Sequence, residues 1–337
     1  MIFAWLTAQW DALAAAHRQQ RLHHAVLISG PPGIGKESLA TTLAQSLLCQ
    51  ATDAAGFACG RCPACRLFQA GTHPDYLVVR PEETGKSIKI EQVRELGTSL
   101  TMTSHAGGRK VALIAPADAL NLNAANSLLK TLEEPTDNTH ILLVTAAPGR
   151  LPITVRSRCQ SVKCALPSRP VALEWLAGQL DAEADGALLL DIANGAPLAA
   201  RDLATAGTIE EWRRLEQELA ALAEGRMDPI ALASQWQQRD GLRCLQWTRI
   251  QLEAALRLHQ GGRVRDGFMQ PSWLGNRKGI DARRLFRLLD QNAFAVNQWS
   301  SGLNRSLLLE DLLLAWVEVL GSARVGRTGS NPVRGTK

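Results

Sequence analysis

The sequence predicts an α/β protein in which a parallel sheet is followed by helices alone, and three observations support this prediction. Short apolar segments of strand type alternate with helical patterns over the first half of the chain, as in parallel sheets with helical crossovers. A glycine-rich loop ending at Lys36 connects the first strand to a helix. After Pro167 the strand patterns disappear and apolar residues recur at helical spacing.

Four strands and a series of helices are predicted from these patterns. The predicted strands are the apolar runs at 25–29, 76–79, 110–114 and 141–145. Helical spacing in the first half occurs at 39–48, 90–96 and 122–132. In the second half it covers 170–180, 187–193, 196–203, 212–222, 229–238, 242–258, 282–299 and 305–320. The sheet is therefore expected to end near Ala165.

The chain length predicts more than one domain, because 337 residues exceed what a single compact core normally holds. We expect an α/β domain over 1–165, a small helical module over 166–206 and a larger helical domain over 207–321. The last stretch, 322–337, has four basic side chains, no acidic ones and three Gly. This composition is typical of a disordered basic tail.

Composition and charge restrict the class of protein. A net charge of +5 allows a nucleic-acid partner without requiring one. Nine Trp with only one Tyr and six Phe indicate no aromatic-rich platform for stacking on bases. No apolar run is long enough to cross a bilayer, and the N-terminus lacks the pattern of a secretion signal. We therefore expect a cytoplasmic protein, in which clustered cysteines indicate a metal rather than disulfides.

The glycine-rich loop fits the phosphate-binding pattern G-x-x-x-x-G-K, with Gly30, Gly35 and Lys36 at the fixed positions and Gly33 between them. In such loops backbone N–H groups hold phosphates and the Lys reaches the outer ones. The next position should carry a hydroxyl for Mg²⁺, but it is occupied by Glu37. The loop is thus expected to persist as a structural turn, with ATP binding left open.

The chain also lacks a second group that Mg²⁺ requires. Hydrolysis needs an acidic residue at the end of the third strand, but Ala115 and Pro116 occupy those places. Asp118 lies further along the chain and is expected to cap the next helix. Because two independent metal positions are defective, no ATP hydrolysis by this chain is expected.

Four cysteines, Cys49, Cys59, Cys62 and Cys65, have the spacing C-x9-C-x2-C-x2-C. Four thiolates suit a tetrahedral structural Zn²⁺ and leave no open position for catalysis. A redox pair and free cysteines are the alternatives. A redox C-x-x-C normally opens a helix of a thioredoxin-like unit, and that context is absent from the sequence. Zinc is therefore the predicted cofactor.

Two motifs give the chain a resemblance to a known family. The segment 123–135, with sequence NAANSLLKTLEEP, resembles the most specific signature of AAA+ clamp-loader subunits, and Ser157-Arg158-Cys159 resembles their Ser-Arg-Cys motif. A cysteine cluster after the phosphate-loop helix is typical of the bacterial members. The segments AGTHPD and NRSLLLEDLLL are similar to the branch of the family that does not hydrolyse ATP. The resemblance covers residues 1 to about 320.

The resemblance implies an AAA+ domain, a small helical lid and a helical collar. The collar of such subunits joins a ring with gamma or tau and delta subunits, which loads a sliding clamp onto primed DNA. A rigid member without hydrolysis is implied here, in agreement with the defective metal positions. In the lid, Leu198 takes the place of a nucleotide-sensing Arg of active members, and Arg201 is an imperfect replacement.

Arg158 is the predicted catalytic residue, acting in trans. The Ser-Arg-Cys resemblance implies that its guanidinium enters the ATP site of a neighbouring subunit and stabilises charge on the γ-phosphate. The alternative is an ordinary solvated or salt-bridged surface arginine. Arg156 lies close by but does not match the motif.

Lys130, Arg150 and Thr154 match positions that face the DNA backbone in related subunits. Lys130 is expected to be exposed because it lies opposite an apolar stripe formed by Leu122 and Leu129 on its helix. Phosphate contacts at these residues would be independent of base sequence and sensitive to salt. A solvated surface without DNA contact is the alternative.

Two other functions are left as alternatives. An active clamp-loader ATPase of the gamma/tau type requires a hydroxyl after Lys36 and acidic residues after Ile114, and the sequence has neither. A zinc-dependent nucleic-acid-binding protein unrelated to clamp loading would bind DNA as the isolated chain. The small net charge and the few aromatic residues argue against it.

Overall fold

The computed structural model describes residues 2–83, 85–104, 108–181, 184–204, 207–259, 271–274, 281–299 and 301–321. The chain forms two compact units, of which the first contains Met1–Leu176 and Gly195–Ala199. The second unit contains Ala177–Asn194 and the chain after Ala199. The three-way domain division stays a prediction, and the predicted tail lies outside the described residues. None of the described helices combines the length and apolar character needed to cross a membrane.

A five-stranded parallel sheet forms the centre of the first unit, with the strand order β2-β3-β4-β1-β5. The strands are β1 (Ala25–Ser29), β2 (Tyr76–Val79), β3 (Lys110–Ile114), β4 (Thr139–Thr145) and β5 (Gln160–Lys163). β1 lies between β4 and β5, with Ala25 opposite Ile141 and Val26 opposite Gln160. The predicted α/β class and the four predicted strands are confirmed, although β4 begins earlier than expected.

The fifth strand was not predicted. Three of the four residues of β5 are exposed, and only Val162 is partly buried. β5 pairs with β1 and stands at the edge of the sheet. Edge strands tolerate polar and charged side chains because one side is not covered by another strand. The apolar run that marks the other strands is therefore missing here.

Helices cover both faces of the sheet. Val26 and Ile28 of β1 pack in one apolar cluster with α1 and α2, whereas Ala25 and Leu27 pack on the opposite face with α4 and α5. This alternation explains why β1 is apolar from Ala25 to Ile28. The helices before residue 204 are α1 (Thr7–Arg18), α2 (Lys36–Leu48), α3 (Pro63–Gln69), α4 (Ile90–Thr101), α5 (Leu122–Glu133), α6 (Ile153–Arg156), α7 (Arg169–Ala177), α8 (Gly186–Ile192) and α9 (Pro197–Leu203).

The second unit is helical in its described residues and has one apolar core. Its longer helices are α10 (Thr208–Ala223), α11 (Pro229–Gln238), α12 (Gly241–His259), α13 (Ala282–Gln298) and α14 (Arg305–Gly321). Its core contains five of the nine Trp residues of the chain, namely Trp212, Trp236, Trp247, Trp273 and Trp316. More than half of the Trp side chains thus stabilise this unit by burial.

Candidate functional sites

The phosphate loop connects β1 to α2 and is closely covered by other parts of the first unit. Gly33 and Gly35 have φ angles of 71° and 86°, in the left-handed region that favours glycine. A Cβ at Gly33 would lie 2.6 Å from the Cβ of Ala199, and a Cβ at Gly35 would lie 2.4 Å from the Phe3 ring. Glycine is therefore needed here for packing as well as for backbone conformation, which favours the structural turn.

The segment around Leu198 contacts the loop through its backbone. The N–H group of Leu198 donates to the carbonyl of Gly33 at 2.9 Å. The Leu198 side chain is apolar, so it cannot provide the charge with which a sensing Arg would contact phosphate. Arg201, the imperfect replacement, forms an ion pair with Asp202 at 2.7 Å.

Lys36 bonds to its own loop. The residue is 6% exposed, and its Nζ donates to the carbonyl of Pro31 at 2.5 Å. Burial lowers the pKa of Lys36, against the opposing effect of Cys164 and Asp118 nearby. The carbonyl of Cys164 also approaches Gly30, where a Cβ would lie only 2.1 Å from it. Lys36 thus uses one of its three N–H donors on the carbonyl of its own loop.

Glu37, which replaces the Mg²⁺-binding hydroxyl, forms an ion pair with Arg80 directly after β2. A hydrogen bond from Arg80 to Glu37 raises the pKa of this guanidinium. The carboxylate is therefore neutralised by a cation of the same chain. Sequence reasoning missed Arg80, although one signal was present. The residue follows a strand of a parallel sheet, at the edge where ligands of such sheets bind.

Asp118 does not cap the following helix, so that expectation was wrong. Asn121 caps α5 by accepting a hydrogen bond from the N–H group of Ala124. The Oδ1 atom of Asp118 accepts instead from the Thr145 hydroxyl at 2.6 Å and from the Ala146 N–H group at 3.0 Å. Burial acts to raise the pKa of Asp118, but these hydrogen bonds outweigh it and lower the pKa. This carboxylate therefore connects the ends of β3 and β4.

The four cysteines of the predicted zinc site lie together in the first unit. Cys49 follows α2, Cys59 lies in the connecting loop, Cys62 caps the N-terminus of α3, and Cys65 lies in the first turn of α3. The four Sγ atoms all lie within 4.8 Å of one another. Each of the last three residues donates its backbone N–H group to the sulfur of the preceding cysteine of the cluster, at 3.2 to 3.4 Å. The geometry brings together all four predicted ligands.

Zinc fits this group of sulfurs. Tetrahedral Zn–S bonds near 2.3 Å place the sulfurs about 3.8 Å apart, and the Sγ atoms of Cys49 and Cys62 are 4.0 Å apart. Burial acts to raise the pKa of Cys62, but hydrogen bonds from the N–H groups of Gln50 and Cys65 lower it to about 6. Burial and the neighbouring sulfurs raise the pKa of Cys65 to about 12. Four simultaneous thiolates therefore require a cation among them.

The loop between the first two cysteines is anchored to α1 and α2. The rings of Trp10 and Phe57 stack with centroids 4.4 Å apart, and Trp10 Nε1 donates to the Ala55 carbonyl at 3.2 Å. Ser46 Oγ donates to the carbonyl of Gly56 at 2.6 Å. The cysteine cluster is thus part of the packed first unit, as expected of a structural metal site.

The Ser-Arg-Cys motif closes the short helix α6. Ser157 Oγ donates to the Thr154 carbonyl at 3.1 Å, and Arg158 Nη1 donates to the same carbonyl at 2.9 Å. Cys159 Sγ donates to the Val155 carbonyl at 3.2 Å. Burial raises the pKa of the Cys159 thiol to about 11, so the sulfur keeps the proton that it donates. All three side chains of the motif thus satisfy carbonyls at the end of α6.

Arg158 is held from a second side by α5. Its Nη2 atom lies 2.5 Å from the Glu133 carboxylate, and the two side chains are 36% and 49% exposed. The guanidinium is therefore partly accessible and fixed between two helices. Arg156, the neighbouring competitor, is exposed at the end of α6.

The three candidate DNA-facing residues are all exposed. Lys130 lies on α5, Arg150 ends a short 3₁₀ helix, and Thr154 lies on α6. The expected exposure of Lys130 is confirmed, but the stripe used to infer it was partly wrong because Leu122 is 67% exposed. The buried face of α5 is formed by Ala124, Ala125, Leu128 and Leu132. Contact of these three residues with DNA stays a prediction.

The comparisons with known proteins agree on one family. A sequence model of the family described as DNA polymerase III, delta subunit, matches residues 5–167. DNA polymerase III subunit delta' of Pseudomonas aeruginosa is 40% identical, over 95% of this chain and 98% of that protein. Subunit delta' of Escherichia coli K12 is 34% identical, over 93% and 94% of the two chains. Subunit tau of the same organism is 38% identical, but over only 44% of this chain and 22% of its own length. This chain therefore belongs to the family of DNA polymerase III delta' subunits.

Proposed function

We propose that this chain is the non-hydrolysing member of a clamp loader, which assists ATP hydrolysis by neighbouring subunits during DNA replication in the cytoplasm. The relatives named delta' match almost the whole chain, which supports this role over that of an active gamma or tau ATPase. The observation that carries the proposal is the ion pair between Glu37 and Arg80, because it occupies the position of the Mg²⁺-binding hydroxyl.

The two acidic side chains that could replace the missing Mg²⁺ ligands have partners within the protein. Glu37 is paired with Arg80, and Asp118 is hydrogen-bonded to Thr145 and Ala146. Phosphoryl transfer depends on Mg²⁺ that bridges the phosphate oxygens and is held by a hydroxyl and an acidic residue. A loop that offers neither group in a free form supports structure, with at most weak ATP binding.

Arg158 is the group through which this chain would take part in chemistry. Its guanidinium lies at the surface, is held between α5 and α6, and keeps N–H donors beyond those used in the two contacts. In trans, such a group stabilises charge on the γ-phosphate of a neighbouring subunit as that charge develops. Its planar fork suits phosphate oxygens better than the ammonium of Lys.

The zinc ion and the protein partners have distinct roles in this proposal. Cys49, Cys59, Cys62 and Cys65 would hold one structural Zn²⁺, which stabilises the packing of the connecting loop against α1. The helical second unit would assemble with gamma or tau and delta subunits. The sliding clamp and primed DNA would be reached through the complete complex.

The test of this role is assembly. The purified chain, mixed with gamma or tau and delta subunits, is expected to elute with them as one complex in gel filtration. The complex should load a sliding clamp onto primed DNA, and omission of this chain should abolish loading. Loading at the full rate without this chain would contradict the proposal.

A further inference from the structure

The two motifs that carry the family resemblance meet at one side chain. Glu133 ends α5 within the segment 123–135, and its Oε1 atom lies 2.5 Å from Nη2 of Arg158. Arg158 Nη1 donates at the same time to the Thr154 carbonyl at 2.9 Å. One contact comes from the end of α5 and the other from the backbone of α6. These two acceptors together determine where the guanidinium lies.

The two contacts leave donors for a further partner. A guanidinium has five N–H groups, and these contacts use one on each terminal nitrogen. Arg158 therefore does not have to leave Glu133 in order to bind phosphate oxygens. The arrangement therefore leaves the guanidinium able to bind phosphate while it stays in contact with Glu133.

The two acceptors restrict the side chain in different ways. The Thr154 carbonyl belongs to the backbone of α6, so it fixes the guanidinium close to its own helix. Glu133 lies on another helix, and α5 contacts α6, with buried Leu128 and Val155 in the same apolar cluster. A free Arg side chain samples many rotamers, and ordering it on binding opposes the interaction. A carboxylate that orders the Arg side chain before binding reduces the entropy that is lost on binding.

We infer that Glu133 is a positioning residue, which holds Arg158 in the orientation that enters the ATP site of the neighbouring subunit. This inference rests on the proposed role of Arg158 in trans. Glu133 itself touches neither nucleotide nor Mg²⁺ in this role and acts only through Arg158. Its effect should therefore appear in turnover and vanish when Arg158 is absent.

The experiment is a double-mutant cycle on complete rings. Four rings carry the wild-type chain, Glu133→Ala, Arg158→Ala or both substitutions, and Glu133→Gln is added as the conservative variant. ATPase rates are measured with DNA and clamp over a range of ATP concentrations. Glu134→Ala is the matched control, because it removes an exposed carboxylate one residue further on. Gel filtration and thermal midpoints establish that all rings assemble and that all chains fold.

Glu133→Ala is expected to lower kcat about 2- to 5-fold with KM for ATP unchanged, the effect expected from losing a half-exposed ion pair. Glu133→Gln should lower kcat less than Glu133→Ala does, since the amide oxygen of Gln still accepts a hydrogen bond. In rings with Arg158→Ala, the further change Glu133→Ala should have no effect. Rings with Glu134→Ala should turn over at the wild-type rate.

Three results would overturn the inference. If Glu133→Ala lowered the ATPase rate equally with and without Arg158, Glu133 would act independently of Arg158. A faster rate in Glu133→Ala rings would show that the carboxylate competes with the phosphate. Wild-type rates for Arg158→Ala rings would refute the proposed role in trans as well, so the two failures are distinguishable.

Discussion

Glu37, the residue directly after the phosphate-loop lysine, pairs its carboxylate with the guanidinium of Arg80. The pair joins the first turn of α2 to the end of β2. It replaces a hydroxyl–metal contact by a contact between two side chains, for which no ligand is needed. The pair therefore connects the first turn of α2 to the sheet through two side chains of the same chain.

Restoring the hydroxyl alone should not restore hydrolysis. Glu37→Thr provides the side chain that binds Mg²⁺ in active loops, but Ala115 and Pro116 still provide no carboxylate at the end of β3. The isolated variant is therefore expected to show no ATPase activity above background, like the wild-type chain. Steady-state phosphate release with and without Mg²⁺ measures this. Mg²⁺-dependent turnover by either protein would contradict the account of the loop.

The purified chain should contain one Zn²⁺ per molecule. Cys62→Ser removes one of four thiolates, so the zinc content should fall well below one, whereas Cys244→Ala, at an isolated buried cysteine, should leave it unchanged. Cysteine side chains bind zinc only as deprotonated thiolates, so the release of zinc should accelerate as the pH falls. Elemental analysis and a chromogenic chelator provide the measurements. Freshly purified wild-type chain without zinc would refute the site.

Lys130→Ala should weaken the binding of DNA to the assembled ring at all base sequences. One lost phosphate contact should reduce the slope of log K against log salt by about 1. Lys89→Ala is the control, because Lys89 is exposed on the first unit but paired with Glu82. Titrations of primed DNA at several salt concentrations measure both quantities. Unchanged affinity and slope would favour the solvated surface without DNA contact.

The first unit should lose stability in mild acid through His140. Burial, together with Arg109 and His17, lowers the pKa of His140 to about 4, whereas an unfolded chain binds this proton near pH 6.5. Because the folded pKa is the lower one, the stability is present above pH 6.5 and is lost as the pH falls towards 4. The loss between pH 7.5 and pH 5 should be about 2 kcal/mol.

Urea unfolding at these pH values tests the effect of His140. His140→Phe removes the titrating group and also an Nδ1 atom that is buried without a hydrogen-bond partner. This variant should lose most of the extra sensitivity to acid. His259→Asn, at an exposed position on α12, should retain it. An identical dependence on pH in wild type and His140→Phe would refute the assignment.

Residues with a local pattern were predictable from the sequence, and residues defined by long-range contacts were not. The strands β1, β2 and β3 were predicted with their observed bounds because each is a short apolar run. The four cysteines were predicted because two overlapping C-x-x-C steps and an upstream Cys form a local pattern that is visible in the sequence. β5 was missed because an edge strand needs no apolar residues, and its pairing with β1 joins residues far apart in the chain.

The partners of the charged residues were the least predictable part. Arg80 and Glu37 are 43 residues apart, and Asp118 and Thr145 are 27 apart. Whether Asp118 caps a helix or joins two strands depends on which donors the fold brings near it. Glu133 was part of a recognised motif, but nothing local connects it to Arg158. The first two contacts follow from the topology of the sheet, in which ends of distant strands meet at one edge. The contact of Glu133 with Arg158 follows from the packing of α5 against α6.

The ATPase rate of complete rings that carry Arg158→Ala is the most direct test of the central claim. With DNA and clamp present, and assembly shown to be equal by gel filtration, the rate should fall while nucleotide binding stays unchanged, because the arginine acts on charge that develops in the transition state. The deficit should be smaller than the roughly 10³-fold loss of the strongest systems, since only one of several ATP sites borders this subunit. Arg158→Lys should not restore the rate. Equal rates and equal clamp loading by wild-type and Arg158→Ala rings would contradict the account and leave Arg158 as a structural residue.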